Sequence, residues 1–399
     1  MKRCVMMAIL FVSILAASAR PARADFDAAL RAYNDGDYAT AMREYKADGS
    51  ARAHFNIGLM YAEGKGVKKP DSREAMKWYR KAAEQGYAKA QFSLGLMYAI
   101  GEDVAANKKE AASWYRKAAD QGHITAQYNL ALMYDRGDGV KRDGKEAASW
   151  YRKAADQGHA TAQLNLAQIY DKGAGVEQDK KEAAHWYLKA AEQGNARAQF
   201  SIAQMYDKGE GVAPDKKEAL TWYRRAAEQK NAKAQFKAGF MYDKGEGVPQ
   251  DKKEALRWYR KAAERGVAEA QFNLGLMYYN GSGTEQNKKE AARWFRKAAD
   301  QGESEAQFTL GHMYEHGDGI KQDLKEALKW YRKAADQGFD QAQFNLGLMY
   351  YNGRGVKQNR MEAYKWIVKA AEQGLDEAEK TLEVLGRHMP GRHPIVKPR

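Results

Sequence analysis

Apolar residues recur along most of the chain at intervals of three and four, as in Ala90, Leu94 and Tyr98. That spacing places them on one face of a helix. Each such stretch is followed by a glycine-containing turn and then by a second stretch. There a Trp, a usually aromatic neighbour and an Ala-Ala pair are interleaved with Arg and Lys. The whole pattern is periodic: Trp78, Trp114, Trp150, Trp186, Trp222, Trp258, Trp294, Trp330 and Trp366 fall 36 residues apart. A fixed period of this length predicts stacked supersecondary units instead of a string of globular domains. Each unit reads roughly A-Q-F-x-L-G-x-M-Y-x-x-G-x-G-V-x-x-D-x-x-E-A-x-x-W-Y-R-K-A-A-E-Q-G, which fits two helices and two turns.

Nine copies in one chain are nine observations of the same structural slot, and they separate scaffold positions from variable ones. One slot of the first helix is always small: Gly58, Gly95, Ala131, Ala167, Ala203, Gly239, Gly275, Gly311 and Gly347. Glycine inside a helix costs about 1 kcal/mol against alanine, so its recurrence predicts a close helix crossing. Paired glycines such as Gly137 and Gly139 supply the left-handed backbone that ends this helix, with Asp103 replacing the second in repeat two. The second helix opens with Asp or Asn and carries Glu three residues on, as in Asp71/Glu74, Asn107/Glu110 and Asp143/Glu146. That is a start signal of the capping-box kind, worth about 1 kcal/mol. Glycine closes the unit except at Lys230, where Asn231 is expected to take the left-handed position. The tryptophans read as core, and the Arg and Lys between them as water-facing.

The ends differ from the units. Residues 1–24 read as a signal peptide, with Lys2 and Arg3 before an apolar run from Val5 to Ala17 and a small-x-small pattern at Ala22-Arg23-Ala24. Residues 25–50 read as a capping helical hairpin turned around Asp35-Gly36-Asp37, residues 51–374 as the nine repeats, and residues 375–386 as a C-terminal capping helix. Residues 387–399, with Pro390, Pro394, Pro398 and several cations, read as a disordered basic tail. Stacked units leave an apolar face bare at each end, which is why caps are expected.

Composition sharpens this picture in three places. Only 7 Pro occur and β-branched residues are sparse, which favours an all-α chain. The net charge of +14 includes Lys2, Arg3, Arg20 and Arg23 of the leader and Arg387, Arg392, Lys397 and Arg399 of the tail, which leaves +6 on residues 25 to 386. Spread over that length, it is a mildly basic surface and not the concentrated stripe of a nucleic-acid binder. The single cysteine, Cys4, lies within the leader, so a mature chain would rely on packing and not on disulfides.

The Leu-Gly-x-x-Tyr run at Leu94, Gly95 and Tyr98 resembles the tetratricopeptide helix signature, yet the period is 36 and the turn is longer and richer in glycine. These features resemble the Sel-1-like repeat family over residues 51 to 374. The resemblance implies an α/α solenoid, a right-handed superhelix of helix-turn-helix repeats, and an adaptor role of the kind some members serve in bacterial envelopes. Some bacterial relatives carry a disulfide-linked cysteine pair in each repeat, and enzymatic activity has been attributed to some of them. This chain lacks those cysteines.

In a stacked solenoid the first helices line the inner, concave wall, and a partner meets the positions that the repeats do not hold fixed. These form a stripe at i, i+4, i+7 and i+11: Thr125, Asn129, Leu132 and Arg136, then Thr161, Asn165, Gln168 and Lys172. Repeat six places Lys233, Lys237, Phe240 and Lys244 there. Asn273 and Asn345 continue the stripe, and Glu305, His312 and His316 change its character in repeat eight. The expected partner is an extended, partly acidic protein segment, held by the Asn amides and by an apolar contact to Phe240. A carbohydrate or peptidoglycan ligand is the alternative. No cysteine nucleophile, nucleophile elbow or P-loop occurs in the sequence. His312 and His316 alone make a poor metal site, so no catalytic residue, metal or cofactor is expected. The expected location is the periplasm, with secretion as the alternative; neither a nucleic-acid partner nor stable membrane insertion is expected.

Overall fold

The computed structural model describes residues 25–101 and 105–386. The leader, Asp103 and the basic tail lie outside the described residues. All regular secondary structure among the described residues is helical, and every helix of the nine repeats is 13 residues long. The fold class is an α/α solenoid. The chain divides into two compact units, residues 1–178 and 179–399, with the division between the two helices of repeat four.

Repeat three, in the first unit, shows how a repeat is built. Its first helix, Ile124–Arg136, ends at Gly137, which is left-handed at φ 78 and donates its N–H to the Met133 carbonyl at 2.8 Å. The second helix, Gly144–Asp156, starts at Asp143, whose carboxylate accepts from the backbone of Lys145 and Glu146 at 2.9 and 3.1 Å. The reciprocal half of a capping box does not form. The Asp143 N–H donates instead to the Tyr134 carbonyl at 3.0 Å, and Glu146 accepts the indole N–H of Trp150 at 3.1 Å. Glu254 and Glu326 do the same for Trp258 and Trp330 in the second unit. In these repeats the glutamate therefore satisfies a buried indole donor that would otherwise be an orphan, whereas the Trp114 N–H has no partner.

The small slot is the close crossing expected. A Cβ on Gly239 would stand 2.8 Å from the Tyr259 ring, and one on Gly311 the same distance from Tyr331. Seven of the indoles are buried, while the first and last, Trp78 and Trp366, are only half-buried. The neighbouring cations are not simply water-facing. Lys153 and Lys333 lie over the rings of Trp150 and Trp330 at 3.6 and 3.9 Å. Arg260 reaches into the next repeat and donates to the Tyr278 hydroxyl at 2.7 Å. Lys230 also departs from expectation. It is left-handed itself, at φ 69, and Asn231 is extended and caps the following helix through Ala234. A left-handed lysine is tolerated because at the matching glycines an added Cβ, as on Gly266, meets nothing within 4 Å.

A glutamine ladder joins successive repeats. Gln271 donates to the Ala263 carbonyl of the preceding repeat at 3.0 Å and accepts from Gln301 at 2.7 Å. Gln307 repeats this with Ala299 and Gln337. In repeat six the donor position holds Arg265, and the buried Gln235 Oε1 has no partner. An unmet buried acceptor costs about 1 to 3 kcal/mol. Arg265→Gln is therefore expected to raise unfolding stability by ~1 kcal/mol in chemical denaturation, and no gain would contradict the ladder.

At the N-terminal side, Ala29, Ala41, Met42 and Tyr45 of a helical hairpin pack on Ala53, Ile57 and Met60 of the first repeat. At the other end, Ala378 and Leu385 of the helix Asp376–Gly386 pack on Ile367 and Ala370.

Candidate partner-binding surface

The stripe positions of the first helices are at the surface in both units, because the opposite face of each helix carries the Ala, Leu and Met that enter the core. In the first unit Lys172 is exposed, and Asn129, Asn165 and Gln168 are half-buried. In the second, Lys233, Lys244, His312 and His316 are exposed, and Lys237, Phe240, Asn273 and Asn345 are half-buried. The stripe is thus brought together as two surfaces, one in each unit.

The amides sit lower than the sequence suggests. Asn129, Asn165 and Asn345 lean toward the phenols of Tyr115, Tyr151 and Tyr331 in the preceding repeats. Asn273 turns back to the Glu269 carbonyl at 2.7 Å. The Asn273 amide is therefore engaged within the chain, the other three are half-buried, and the lysines and Phe240 are the more available groups. Lys244 Nζ stands 5.8 Å from the Phe240 ring centre. Lys233, Lys237 and Lys244 are paired with no carboxylate among the described residues. By contrast, cations of the second helices are tied to nearby glutamates, as in Arg257 to Glu254 and Lys329 to Glu326.

The rings of His312 and His316 lie with centres 4.2 Å apart and are tilted by 31°, and His316 Nδ1 lies 3.0 Å from the His312 carbonyl. No group of three His, Cys, Asp or Glu among the described residues is arranged to hold a metal ion.

A row of phenols beneath the stripe escaped the sequence reading. The Tyr331 hydroxyl donates to the buried Glu315 at 2.8 Å, and Arg354 holds the other carboxylate oxygen at 2.7 Å. Tyr223 faces Asp207 at 3.5 Å. Burial, first of all, raises both phenols well above their usual range, so they stay protonated. The sequence does carry a signal for this pairing. Acids stand before tyrosines at Asp207/Tyr223, Asp243/Tyr259 and Glu315/Tyr331, whereas Tyr279 and Tyr351 in the acid slot go with Phe295 and Ile367.

Two histidines outside the stripe carry a pH dependence. His123 and His159 cap helices by accepting from the backbone N–H of Ala126 and Ala162 at 3.2 and 3.1 Å through Nδ1. They stack on Phe92 and Tyr128 with ring centres 4.6 Å apart. Burial lowers both from the ordinary 6.5. A depressed histidine contributes stability that is present above the unfolded value and lost as pH falls through the folded one. Acidification from pH 6.5 to about 5 is therefore expected to lower Tm. Replacing both with Asn, the cap used at Asn195 and Asn231, should flatten that profile. An unchanged slope would contradict the capping role.

The Sel1 repeat model matches residues 51–87, 88–123, 124–159, 160–195, 196–231, 232–267, 268–303, 304–339 and 340–375. The chain belongs to the Sel1 repeat family. It is similar to c5321, a protective antigen present in uropathogenic Escherichia coli strains that displays an SLR fold. Identity is 39%, over 92% of this chain and 80% of that one, at a TM-score of 0.79. A Sel1 repeat protein from Oxalobacter formigenes is 33% identical, over 83% of this chain and 93% of its own, at a TM-score of 0.62. None of the curated proteins compared with the chain matches it. Sel1 repeat proteins generally act as protein–protein interaction scaffolds and are typically non-catalytic. No helix among the described residues is long and apolar enough to cross a membrane.

Proposed function

We propose that this Sel1 repeat protein is an exported, non-enzymatic scaffold that binds an extended, partly acidic polypeptide segment along its first-helix stripe, in envelope regulation or complex assembly. The carrying observation is the set of lysines at Lys233, Lys237 and Lys244 beside Phe240, at the surface and paired with no carboxylate among the described residues. Such a patch recognises negative charge and one apolar side chain together, whereas paired cations contribute little to a rim. Export to the periplasm rests on the leader pattern of Lys2, Arg3 and Val5 to Ala17. A nucleic-acid role fits poorly with +6 spread over residues 25 to 386.

Charge reversal tests this reading. The double variant Lys237→Glu and Lys244→Glu is expected to weaken capture of the partner from envelope extract by about tenfold or more. Circular dichroism should be unchanged, because neither side chain is in the core. Undiminished capture would rule out the stripe of the second unit as the binding surface.

A further inference from the structure

Within each unit, steps between repeats place the same positions around one volume beneath the stripe. They are the twelfth residue of the first helix, the first residue of the second helix, the second-helix aromatic, and the stripe of the following repeat. In the second unit the chain fills this volume with its own side chains. Lys216 pairs with Asp207, which faces the Tyr223 hydroxyl, and Lys252 pairs with Asp243 at 2.8 Å. In repeat seven the twelfth residue is Tyr279, whose ring lies 6.4 Å from Phe295 and whose hydroxyl donates to Asp318 at 2.5 Å.

Repeat one, in the first unit, truncates both fillers at once: the twelfth residue is Ala62 and the first residue of the second helix is Ser72. A cavity of about 240 Å³ remains, with Tyr79, Ser93, Leu96 and Ile100 among its lining. Leu96 and Ile100 are 39% and 61% exposed, two of the few large apolar side chains that face water. The hydroxyls of Ser72, Tyr79 and Ser93 have no hydrogen-bond partner among the described residues. Burial lifts the Tyr79 phenol to about 12, so it is a neutral donor and acceptor. On the same stripe Lys89 and Arg136 are exposed and paired with no carboxylate among the described residues.

Apolar walls, three free hydroxyls and a lysine one helical turn from Ser93 define a complementary group. We propose that this cavity receives one aromatic side chain, tyrosine above all, from an acidic polypeptide lying along the stripe of the first unit. The occupant takes the place that the chain gives its own Tyr279 in repeat seven. Its ring packs on Leu96, Met97 and Ile100, its hydroxyl meets those of Tyr79 and Ser93, and its flanking carboxylates face Lys89 and Arg136. This inference rests on the stripe being a polypeptide-binding surface.

The test uses the full chain and short peptides rich in Asp and Glu with Tyr, Phe or Ala at the centre, followed by fluorescence anisotropy. The Tyr peptide is expected to bind about tenfold more tightly than the Ala peptide, with Phe between them. Ala62→Tyr, which copies repeat seven at an exposed position, should abolish that preference. Tyr79→Phe should bring the Tyr peptide to the level of the Phe peptide. Equal binding of the Tyr and Ala peptides to the unaltered chain, with salt-sensitive affinity, overturns the cavity proposal and leaves the stripe reading standing. Absence of binding by every peptide overturns both.

Discussion

Trp258→Ala is expected to lower unfolding stability by roughly 3 to 5 kcal/mol. The indole is 1% exposed, its N–H donates to Glu254 at 2.9 Å, and Lys261 and Arg257 cover the ring at 4.4 and 4.7 Å. Truncation opens a cavity and removes the group on which those cations lie. Stacked repeats are held mainly by their nearest neighbours, so the loss should appear first as local unfolding around repeats six and seven. Hydrogen exchange would resolve it there, and an unchanged Tm would contradict the core assignment of the tryptophans.

Gly247→Ala should be comparably damaging although it adds a single methyl group. The residue is left-handed at φ 74, and an added Cβ would stand 2.5 Å from the carbonyl carbon and oxygen of Lys216. Left-handed alanine costs about 1 to 2 kcal/mol, and the clash is with backbone that opens a helix, which cannot swing aside as a side chain would. The turn must then lift from the preceding repeat, for a total of about 3 kcal/mol or more. Denaturant unfolding measures it. A loss no larger than the left-handed penalty would show that the turn can move at little cost.

Gly247 also shows what sequence alone conveyed. The period, the helix count and the helix ends were legible because each rests on a local cause: tryptophan spacing, left-handed glycines and Asp or Asn caps. The small slot was legible as a close crossing for the same reason. That the second glycine of a turn docks on the preceding repeat, as Gly139, Gly211 and Gly247 do, was not, since its partner lies about thirty residues away. The glutamine ladder was hidden likewise, because Gln271 bonds across one turn to Ala263 and across a whole repeat to Gln301. The glutamate after each cap matched a familiar local motif, and at Glu146, Glu254 and Glu326 the competing acceptor role toward the indole wins because an unmet donor in the core costs more than an exposed one.

The candidate surface was legible in part. Periodicity placed Lys233, Lys237, Phe240 and Lys244 on the face away from the core, where the structure has them. It could not show that Asn129 and Asn165 lean into tyrosines of the preceding repeat, nor that Ala62 and Ser72, ten residues apart, bound one cavity. Both facts depend on which side chains meet between helices, and hydrophobic spacing along one helix is silent about that.

The central claim, that partners bind the first-helix stripe, is tested most directly by site-specific photo-crosslinking in the native cell. A photoreactive residue is placed in turn at Lys233 and Lys237 on the stripe, and at Arg225 and Lys253 on second helices. The account predicts one shared crosslinked polypeptide from both stripe positions and none from the second helices. Crosslinks from Arg225 or Lys253 alone, with the stripe positions silent, would contradict it.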